Sequence, residues 1–276
     1  MSTAQPPGAP EETADARPQG NGDKTTAEGV RCERVGPVLV ITLCREHKRN
    51  AVDRALADAI DRALNQLEDD PALLVGVLTG GRQVFCAGSD LRSAGDYVTE
   101  RGGEYGVIRR HRSKPLIAAV EGLALGGGME IVLACDMVVA ATDARFGLPE
   151  VMRGVLPTCG ALFRALVALP PNIAREMVLG GETIDAARAH ALGLVNHLSA
   201  PGEALSRALA LAQRIGDNAP LSVQACLQAM NGLLAAADAA GWEATAKALA
   251  VISGSEDYKE GVQAFFARRP PVWRGR

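Results

Sequence analysis

Glu130 stands in an unusual place for a charged residue. It follows three consecutive glycines, Gly126 to Gly128, in the middle of Lys114–Phe146, a segment that is almost continuously apolar. A charge in such surroundings loses its hydration, so a buried carboxylate persists only with good partners or a function. A second acid, Glu150, ends the motif FGLPE. Glycines that expose backbone N–H groups, followed by two carboxylates, can hold an oxyanion and move protons, which indicates an enzyme.

The glycine turn is predicted to lead directly into a helix. Glycine lets the backbone turn tightly and present unpaired N–H groups, and the helix dipole adds positive potential at that end. An enolate or thioester oxygen bound there would be stabilised, with Glu130 in the first helical turn close to it. A tight turn with a capping glutamate explains the same pattern without a ligand. A dinucleotide site is not indicated, since the GxGxxG spacing is absent.

A second turn of the same kind occurs earlier, in the motif FCAGSDL at residues 85–91. Here too a strand-like segment meets a glycine and an acidic residue. Taken alone, this segment is best explained as an ordinary polar loop.

Composition excludes several classes of protein. With 276 residues, 47% of them hydrophobic, the chain can bury a large core, and its net charge of −3 gives no general attraction to nucleic acid or anionic membranes. The six cysteines form no CxxC pair and the four histidines are widely spaced, so no zinc site is expected. We expect reduced thiols in a cytoplasmic protein. No secretory signal is predicted, because the N-terminus lacks a basic start followed by an apolar core. No membrane span is predicted either, because acidic residues interrupt the long apolar stretch.

Hydrophobic periodicity predicts a strand–helix core followed by helices. Residues 1–28 lack large apolar residues after Met1 and are predicted to be a disordered tail. Residues 29–200 are predicted to form the core and residues 201–276 a helical region. The predicted strands are 38–43, 73–78, 116–120 and 137–141. The predicted helices are 51–70, 129–134, 161–169, 204–215, 221–236, 240–252 and 258–267.

Four motifs in this order resemble the crotonase superfamily, the enoyl-CoA hydratases and isomerases. The motifs are FCAGSDL, KPLIAAVEGLALGGGMEI, CDMVVAATDARFGLPEV and GLVNHL, and the resemblance extends from about Val38 to the C-terminus. It implies an α/β fold, a spiral of β-β-α turns with a C-terminal helical oligomerisation region. A homotrimer, or a hexamer made of two trimers, is expected. Weaker similarity to carnitinyl-CoA dehydratases, in the segment ALFR and the ending PVW, hints at a specialised acyl group.

The resemblance also implies roles for individual residues. The backbone N–H groups of Ser89 and Gly127 would form an oxyanion hole for the thioester carbonyl. Glu130 and Glu150 would share a water: Glu130 activates it for attack on C3, and Glu150 exchanges the proton at C2. Thr158, in a loop usually richer in glycine, has an N–H that could hold this water.

Other residues are implied in substrate binding. Coenzyme A enters as part of the substrate, and no separate cofactor or metal is expected. Leu91 is expected in the acyl pocket, and residues 92–112 are expected to border the acyl tail. The residues implied in binding coenzyme A are Lys48, Arg49, Ala51, Ala87 and Arg268, the last from a neighbouring subunit.

Several functions remain open at this point. Hydration of a 2-enoyl-CoA is the leading hypothesis because both acids are present. Isomerisation of a 3-enoyl-CoA, a dehydratase of the carnitinyl-CoA type and a non-catalytic acyl-CoA binder are the alternatives. The cluster Arg109-Arg110-His111-Arg112 suggests RNA binding. It contains no interleaved aromatic residues, however, and the protein as a whole is acidic, so no nucleic-acid partner is expected.

Overall fold

The computed structural model describes residues 24–27, 29–93 and 97–276. Within them the strands are β1 (Lys24–Ala27), β2 (Val30–Val35), β3 (Val38–Leu43), β4 (Val75–Thr79), β5 (Val84–Cys86), β6 (Val98–Thr99), β7 (Gly103–Glu104), β8 (Leu116–Val120), β9 (Leu123–Leu125), β10 (Met137–Ala141), β11 (Arg145–Gly147), β12 (Thr183–Asp185) and β13 (His197–Ser199). The helices are α1 (Arg54–Asp69), α2 (Gly127–Ala134), α3 (Ala161–Ala168), α4 (Pro171–Gly180), α5 (Ala186–Ala191), α6 (Ala204–Gly216), α7 (Pro220–Ile252) and α8 (Glu256–Ala267). Short 3-10 turns occupy Glu46–Lys48 and Glu150–Arg153.

Two sheets form the core of the molecule. The larger sheet has the order β1-β2-β3-β4-β8-β10-β13 and is parallel from β3 onward. The smaller sheet has the order β12-β11-β9-β5, and its members β5, β9 and β11 are parallel. Each of β4, β8 and β10 is followed along the chain by a strand of the smaller sheet. The chain therefore winds as a spiral of strand pairs between the two sheets.

The central strands of the larger sheet are buried on both faces. Their side chains alternate, so one set packs with α1 and the interior, whereas the other set lies under α6. Val77, Ile117 and Val139 belong to the face covered by Ala208 and Leu211 of α6. Burial on both sides explains why these strands read as continuous apolar runs in the sequence.

The strongly patterned elements were predicted correctly. Strands 38–43, 116–120 and 137–141 have the predicted bounds, and the predicted strand 73–78 is β4, shifted by up to two residues. The predicted helix 51–70 is α1, which begins later because Asp53 caps it by accepting the Leu56 N–H at 3.0 Å. The predicted helices in 161–169, 204–215 and 258–267 are also present, as α3, α6 and α8.

One helical prediction was wrong. The predicted helices 221–236 and 240–252 are a single helix, α7, because no proline separates them and Gly241 is accommodated within the helix. A Cβ at residue 241 would collide with the Phe163 ring, so the glycine lets α3 and α7 approach closely. Although α7 is long, no helix in the described ranges is apolar enough over a sufficient length to cross a membrane.

Short elements escaped prediction. Strands β9, β11 and β12 have three residues each, too few to display a period. Strand β5 is equally short and lies in the segment described as strand-like before the FCAGSDL turn. Strand β1 lies inside the segment predicted to be a disordered tail and pairs antiparallel with β2. The other residues of that predicted tail, 1–23 and 28, lie outside the described residues.

Glu121 joins the larger sheet to the first helix of the C-terminal region. It follows β8, is 6% exposed, and accepts hydrogen bonds from the backbone N–H of Gly202 at 2.9 and 3.0 Å and of Ala204 at 2.9 Å. These N–H groups lie at the start of α6 and would otherwise lack acceptors. The buried carboxylate therefore holds α6 against the sheet.

Replacing Glu121 by alanine is expected to lower the free energy of unfolding by about 2 kcal/mol or more, because it leaves buried N–H groups unpaired and opens a cavity. Glu203→Ala is the matched control: Glu203 is at the same helix end but is exposed and its side chain caps nothing. It is expected to change stability by less than about 0.5 kcal/mol. Denaturant unfolding of the three proteins measures both values, and equal losses would contradict the role of Glu121.

Candidate active site

The predicted site residues follow three neighbouring strands of the smaller sheet. Ser89 comes shortly after β5, Gly127 after β9, and Glu150 after β11. These three strands are parallel and adjacent, in the order β11-β9-β5, so their carboxyl ends lie at one edge of the sheet. A hydrogen bond from the Gly126 N–H to the Gly147 carbonyl, 2.9 Å long, ties two of the ends together. The sheet thus brings together segments that are about 60 residues apart in sequence.

Each glycine of the triplet lies against a different part of the site. Gly126 has φ +56°, and a Cβ there would be 3.3 Å from Oε1 of Glu150. A Cβ at Gly127 would be 2.5 Å from the Tyr105 hydroxyl, and one at Gly128 would collide with the Cys86 carbonyl. Only glycine permits these close approaches without displacing a neighbour. The triplet is therefore needed for packing as well as for the turn.

Glu130 is held by backbone donors. Its side chain is 2% exposed, and Oε1 accepts hydrogen bonds from the N–H of Cys159 at 2.8 Å and of Ala161 at 3.0 Å. Ala161 begins α3, so its N–H belongs to the positive end of that helix. Such bonds stabilise the charged carboxylate and fix its orientation. The donors at 159 and 161 were not predicted, because nothing in the sequence relates them to residue 130.

Glu150 has a different environment. It begins a 3-10 turn, and its Oε2 atom is shielded from solvent without a hydrogen-bond partner in the described part of the protein. Burial raises the pKa of Glu150 to about 7, against the opposing effects of a backbone hydrogen bond and of Arg153. The two acids thus differ: one carboxylate is held by N–H donors, and the other can carry a proton near neutral pH.

The loop that carries Ser89 is fixed on both sides. The Val52 N–H donates to the Gly88 carbonyl and the Asp90 N–H donates to the Val52 carbonyl, each at 2.8 Å. Arg45 pairs with Asp90 at 3.0 Å and with Asp53 at 2.5 Å, both partly buried. A Cβ at Gly88 would be 2.9 Å from the backbone nitrogen of Gly127, so the two turns are in direct contact.

Tyr105 is a site residue that sequence reasoning missed. Its hydroxyl lies 2.6 Å from the Ser89 hydroxyl, and its side chain is 1% exposed. The only signal in the sequence is its position among Gly102, Gly103 and Gly106, within the segment expected to border the acyl tail. Part of that segment, residues 94–96, lies outside the described residues.

The predicted coenzyme A loop lies beside the same edge of the smaller sheet. Lys48 and Arg49 are exposed, Ala51 is partly buried, and the Ala87 N–H donates to the Arg49 carbonyl at 3.1 Å. Asn50, which was not singled out in the sequence, is fully buried. Its amide donates to the carbonyls of residues 84 and 85 at 3.1 and 3.0 Å, and so holds the loop to β5.

The remaining predicted residues have fewer described contacts with the glycine turn and the two glutamates. Thr158 is partly buried next to the Cys159 N–H that binds Glu130, and Leu91 is 38% exposed. Arg268 is exposed at the end of α8, and none of its described hydrogen bonds or ion pairs joins it to the other predicted residues. Helix α8 does pack against the turn that carries Glu150.

A thiol nucleophile is not favoured at this site. Cys86 is fully buried and donates to the Asn50 carbonyl at 3.1 Å. Burial raises the pKa of the Cys86 thiol to about 12, so it stays neutral at physiological pH.

Comparison with known proteins agrees with the motifs and the fold. The family model for enoyl-CoA hydratase/isomerase matches residues 33–276. The mevalonyl-coenzyme A hydratase of Aspergillus fumigatus is 38% identical over 250 residues, which is 86% of this chain and 91% of that protein. The carnitinyl-CoA dehydratase of Salmonella paratyphi A is 37% identical over 261 residues, 91% of this chain and 100% of that protein.

Solved structures give the same result. The crystal structure of a carnitinyl-CoA hydratase from Mycobacterium avium matches with a TM-score of 0.86 and 42% identity, covering 91% of this chain and 100% of that one. The resemblance of the four motifs and the α/β fold with C-terminal helices are thereby confirmed. The chain is an enzyme of the enoyl-CoA hydratase/isomerase family, the crotonase superfamily.

Proposed function

We propose that this protein is an enoyl-CoA hydratase-type lyase that adds water across the C2=C3 bond of a 2-enoyl-CoA thioester. The observation that carries the proposal is the placement of two unlike carboxylates, Glu130 and Glu150, around one glycine turn. Glu130 is in the first turn of α2, and the Glu150 carboxylate lies against Gly126 at the start of the same helix. Hydration needs both a base for the water and an acid for C2, and this pair can supply them.

Two backbone N–H groups activate the substrate in this proposal. The N–H of Gly127 is at the first position of α2, where it has no acceptor within the helix, and the Ser89 turn lies directly beside it. Both donate to the thioester oxygen, whose negative charge grows as the enolate-like state forms. Removing one such donor costs about 10²–10³ in rate in other enzymes.

The carboxylates divide the proton transfers. Glu130, oriented by the N–H groups of residues 159 and 161, takes a proton from the water as it attacks C3. Glu150, with its raised pKa, gives a proton to C2. In each turnover the C2=C3 π bond, one O–H bond of the water and the O–H bond of Glu150 break, and a C3–O bond, a C2–H bond and the O–H bond of Glu130 form. Glu130 then loses this proton and Glu150 regains one by exchange with solvent, which restores the starting state.

Coenzyme A binding is proposed for the loop at residues 45–51. Lys48 and Arg49 are exposed and can meet the phosphates, whereas Ala51 and Ala87 offer small surfaces beside them. The backbone bond between Ala87 and Arg49 links this loop to the turn that carries Ser89. Arg268 is proposed to reach coenzyme A bound to a neighbouring subunit. The loop that contains Thr158, and Leu91, are proposed to border the water and the acyl group.

The acyl group is proposed to be polar. Relatives that match over most of both chains are named for carnitinyl-CoA and mevalonyl-CoA. The proposed site of this chain also contains a hydrogen-bonding pair, Ser89 and Tyr105, beside the glycine turn. An isomerase that acts on a 3-enoyl-CoA remains the alternative activity of the same two acids.

The wild-type protein is expected to hydrate 2-enoyl-CoA thioesters. The test panel consists of crotonyl-CoA and of thioesters with hydroxylated and cationic acyl groups. Glu130→Gln and Glu150→Gln are each expected to lower kcat by about 10²–10⁴, because each removes one proton transfer. Loss of the enone absorbance measures turnover.

Glu121→Gln is the control for loss of a buried carboxylate outside the site, and it is expected to keep its activity. Hydration at close to the wild-type rate in either active-site variant would contradict the two-acid mechanism. Absence of hydration across the panel, with conversion of a 3-enoyl-CoA, would identify an isomerase. Binding without any turnover would identify an acyl-CoA binder.

The rate of hydration is expected to fall as the pH rises above about 7. Burial raises the pKa of Glu150, so the proton that C2 needs is present below about pH 7 and is lost above it. Profiles of kcat/KM against pH for the wild type and for Glu150→Gln check this. The residual activity of the variant is expected to lack the high-pH decline, and a wild-type profile that is flat from pH 6 to 8 would contradict the assignment.

We further propose that the chain assembles as a homotrimer or as a dimer of trimers. Helix α7 exposes Leu221, Leu233 and Val251 at 80, 83 and 78% of their surface, and α8 exposes Phe265 and Phe266. Exposed apolar groups of this number on neighbouring helices are typical of a subunit interface.

Sedimentation equilibrium is expected to give a mass three or six times that of the 28.8 kDa chain. The mass is expected to stay constant on dilution into the low micromolar range, since oligomers with a large apolar interface dissociate only at lower protein concentrations. A monomer at all concentrations would contradict the proposal.

A further inference from the structure

Tyr105 lies between the two backbone segments of the proposed oxyanion hole. On one side its hydroxyl is 2.6 Å from the Ser89 hydroxyl, within hydrogen-bond distance. On the other side the hydroxyl and the adjoining ring edge lie against Gly127, where a Cβ would be only 2.5 to 2.9 Å from them. The same phenol group therefore contacts both residues whose N–H groups are proposed to bind the thioester oxygen.

The backbone of Tyr105 is in an unusual conformation. Its φ is +55°, in the left-handed region that bulky residues rarely adopt. Its N–H donates to the Tyr97 carbonyl at 2.9 Å, and Gly103 and Gly106 on either side also have positive φ. Strained residues of this kind persist only where the surroundings impose them, and they are concentrated at functional sites. The turn is shaped to direct this one side chain.

The turn that carries Tyr105 is firmly attached to α1. The Thr99 hydroxyl donates to Asp61 at 2.7 Å, and Arg110 donates to Asp61 at 2.5 Å and to Asn65 at 2.7 Å. Arg110 is 8% exposed, and its Nε donates to the Gly106 carbonyl at 3.1 Å. Buried charge-assisted bonds hold such a turn in one conformation. These contacts hold the turn of Tyr105 against α1, and none of them requires a bound substrate.

Residues of α7 and α3 support the same turn. Arg109 pairs with Glu104, directly before Tyr105, at 2.8 Å, and its guanidinium lies 3.7 Å from the centre of the Trp242 ring in α7. Arg164 of α3 donates to the Ile108 carbonyl at 2.9 Å. The position of the phenol is therefore determined by three separate parts of the chain.

We propose that Tyr105 is a positioning residue for the oxyanion hole. Its hydroxyl binds the Ser89 side chain while its ring rests on Gly127, and this fixes the separation of two N–H donors that belong to different strand ends. The Ser89 side chain, and not only its N–H, is then part of the site. This inference rests on the proposed function, because the donors matter only where a thioester oxygen is polarised.

Tyr105→Phe removes the hydroxyl and keeps the ring. We expect kcat to fall about tenfold and KM to change by less than about threefold, because a misplaced oxyanion donor weakens the transition state more than the ground state. Ser89→Ala, which keeps the backbone N–H, is expected to have the same effect. Since both variants break one hydrogen bond, the double variant is expected to be no slower than either single variant.

A bound chromophore reports the oxyanion hole without turnover. Cinnamoyl-CoA has a conjugated thioester whose absorbance moves to longer wavelength when its carbonyl is polarised. We expect this shift with the wild-type protein and a smaller shift with Tyr105→Phe and Ser89→Ala. A purely structural role for Tyr105 would lower thermal stability but leave the shift of the folded protein unchanged.

Tyr258→Phe is the matched control. Tyr258 lies in α8, is partly buried, and is outside the turns that form the proposed site. It is expected to keep the kcat and the chromophore shift of the wild type. Wild-type kcat and shift in both Tyr105→Phe and Ser89→Ala, in a wild-type enzyme that hydrates enoyl-CoA, would overturn this inference alone. A wild-type protein that binds cinnamoyl-CoA with no shift and hydrates no thioester would overturn the proposed function as well.

Discussion

The close approach of three backbone segments at the glycine triplet is the constraint on which the rest of the site depends. Gly126, Gly127 and Gly128 each lie against a different neighbour, and a side chain at any of them would push that neighbour away. The parallel pairing of β5, β9 and β11 makes this approach possible, because it places the ends of all three strands at one edge. Buried interiors are packed too densely to absorb an added Cβ by small adjustments. The turns of Ser89 and Gly127, the Glu150 carboxylate and the Tyr105 phenol therefore share one compact region.

Two acids of the same type acquire different properties from their surroundings. Glu130 lies deeper, but N–H donors from the start of α3 compensate for its lost hydration. Glu150 is less deeply buried, yet its Oε2 lacks a described partner, and burial raises its pKa to about 7. Hydrogen bonding and desolvation act in opposite directions on the pKa of a carboxylate, which is the physical basis for the different roles proposed for Glu130 and Glu150.

The C-terminal helices contribute to the site of their own chain as well as exposing an apolar surface. Trp242 of α7 stacks with Arg109, which pairs with Glu104 in the turn that carries Tyr105. Arg164 connects α3 to Asp238 of α7 at 2.8 Å. Helix α8 packs on the 3-10 turn of Glu150. The assembly proposed through α7 and α8 therefore involves helices that contact the turn of Glu150 and, through Arg109, the segment that carries Tyr105.

The sequence by itself determined the elements with strong patterns and the family to which the chain belongs. Continuous apolar runs predicted the strands 38–43, 116–120 and 137–141, since a strand buried on both faces excludes polar residues. The motifs around Ser89, Gly127, Glu130 and Glu150 carried the family, which the comparisons confirmed. Only the tertiary structure decided how these groups meet. Three-residue strands show no period, the N–H donors to Glu130 lie 29 and 31 residues away, and the contacts of Tyr105 span 16 and 22 residues. Such long-range contacts depend on the packing of the whole chain, so the local preferences of a segment for helix or strand do not predict them.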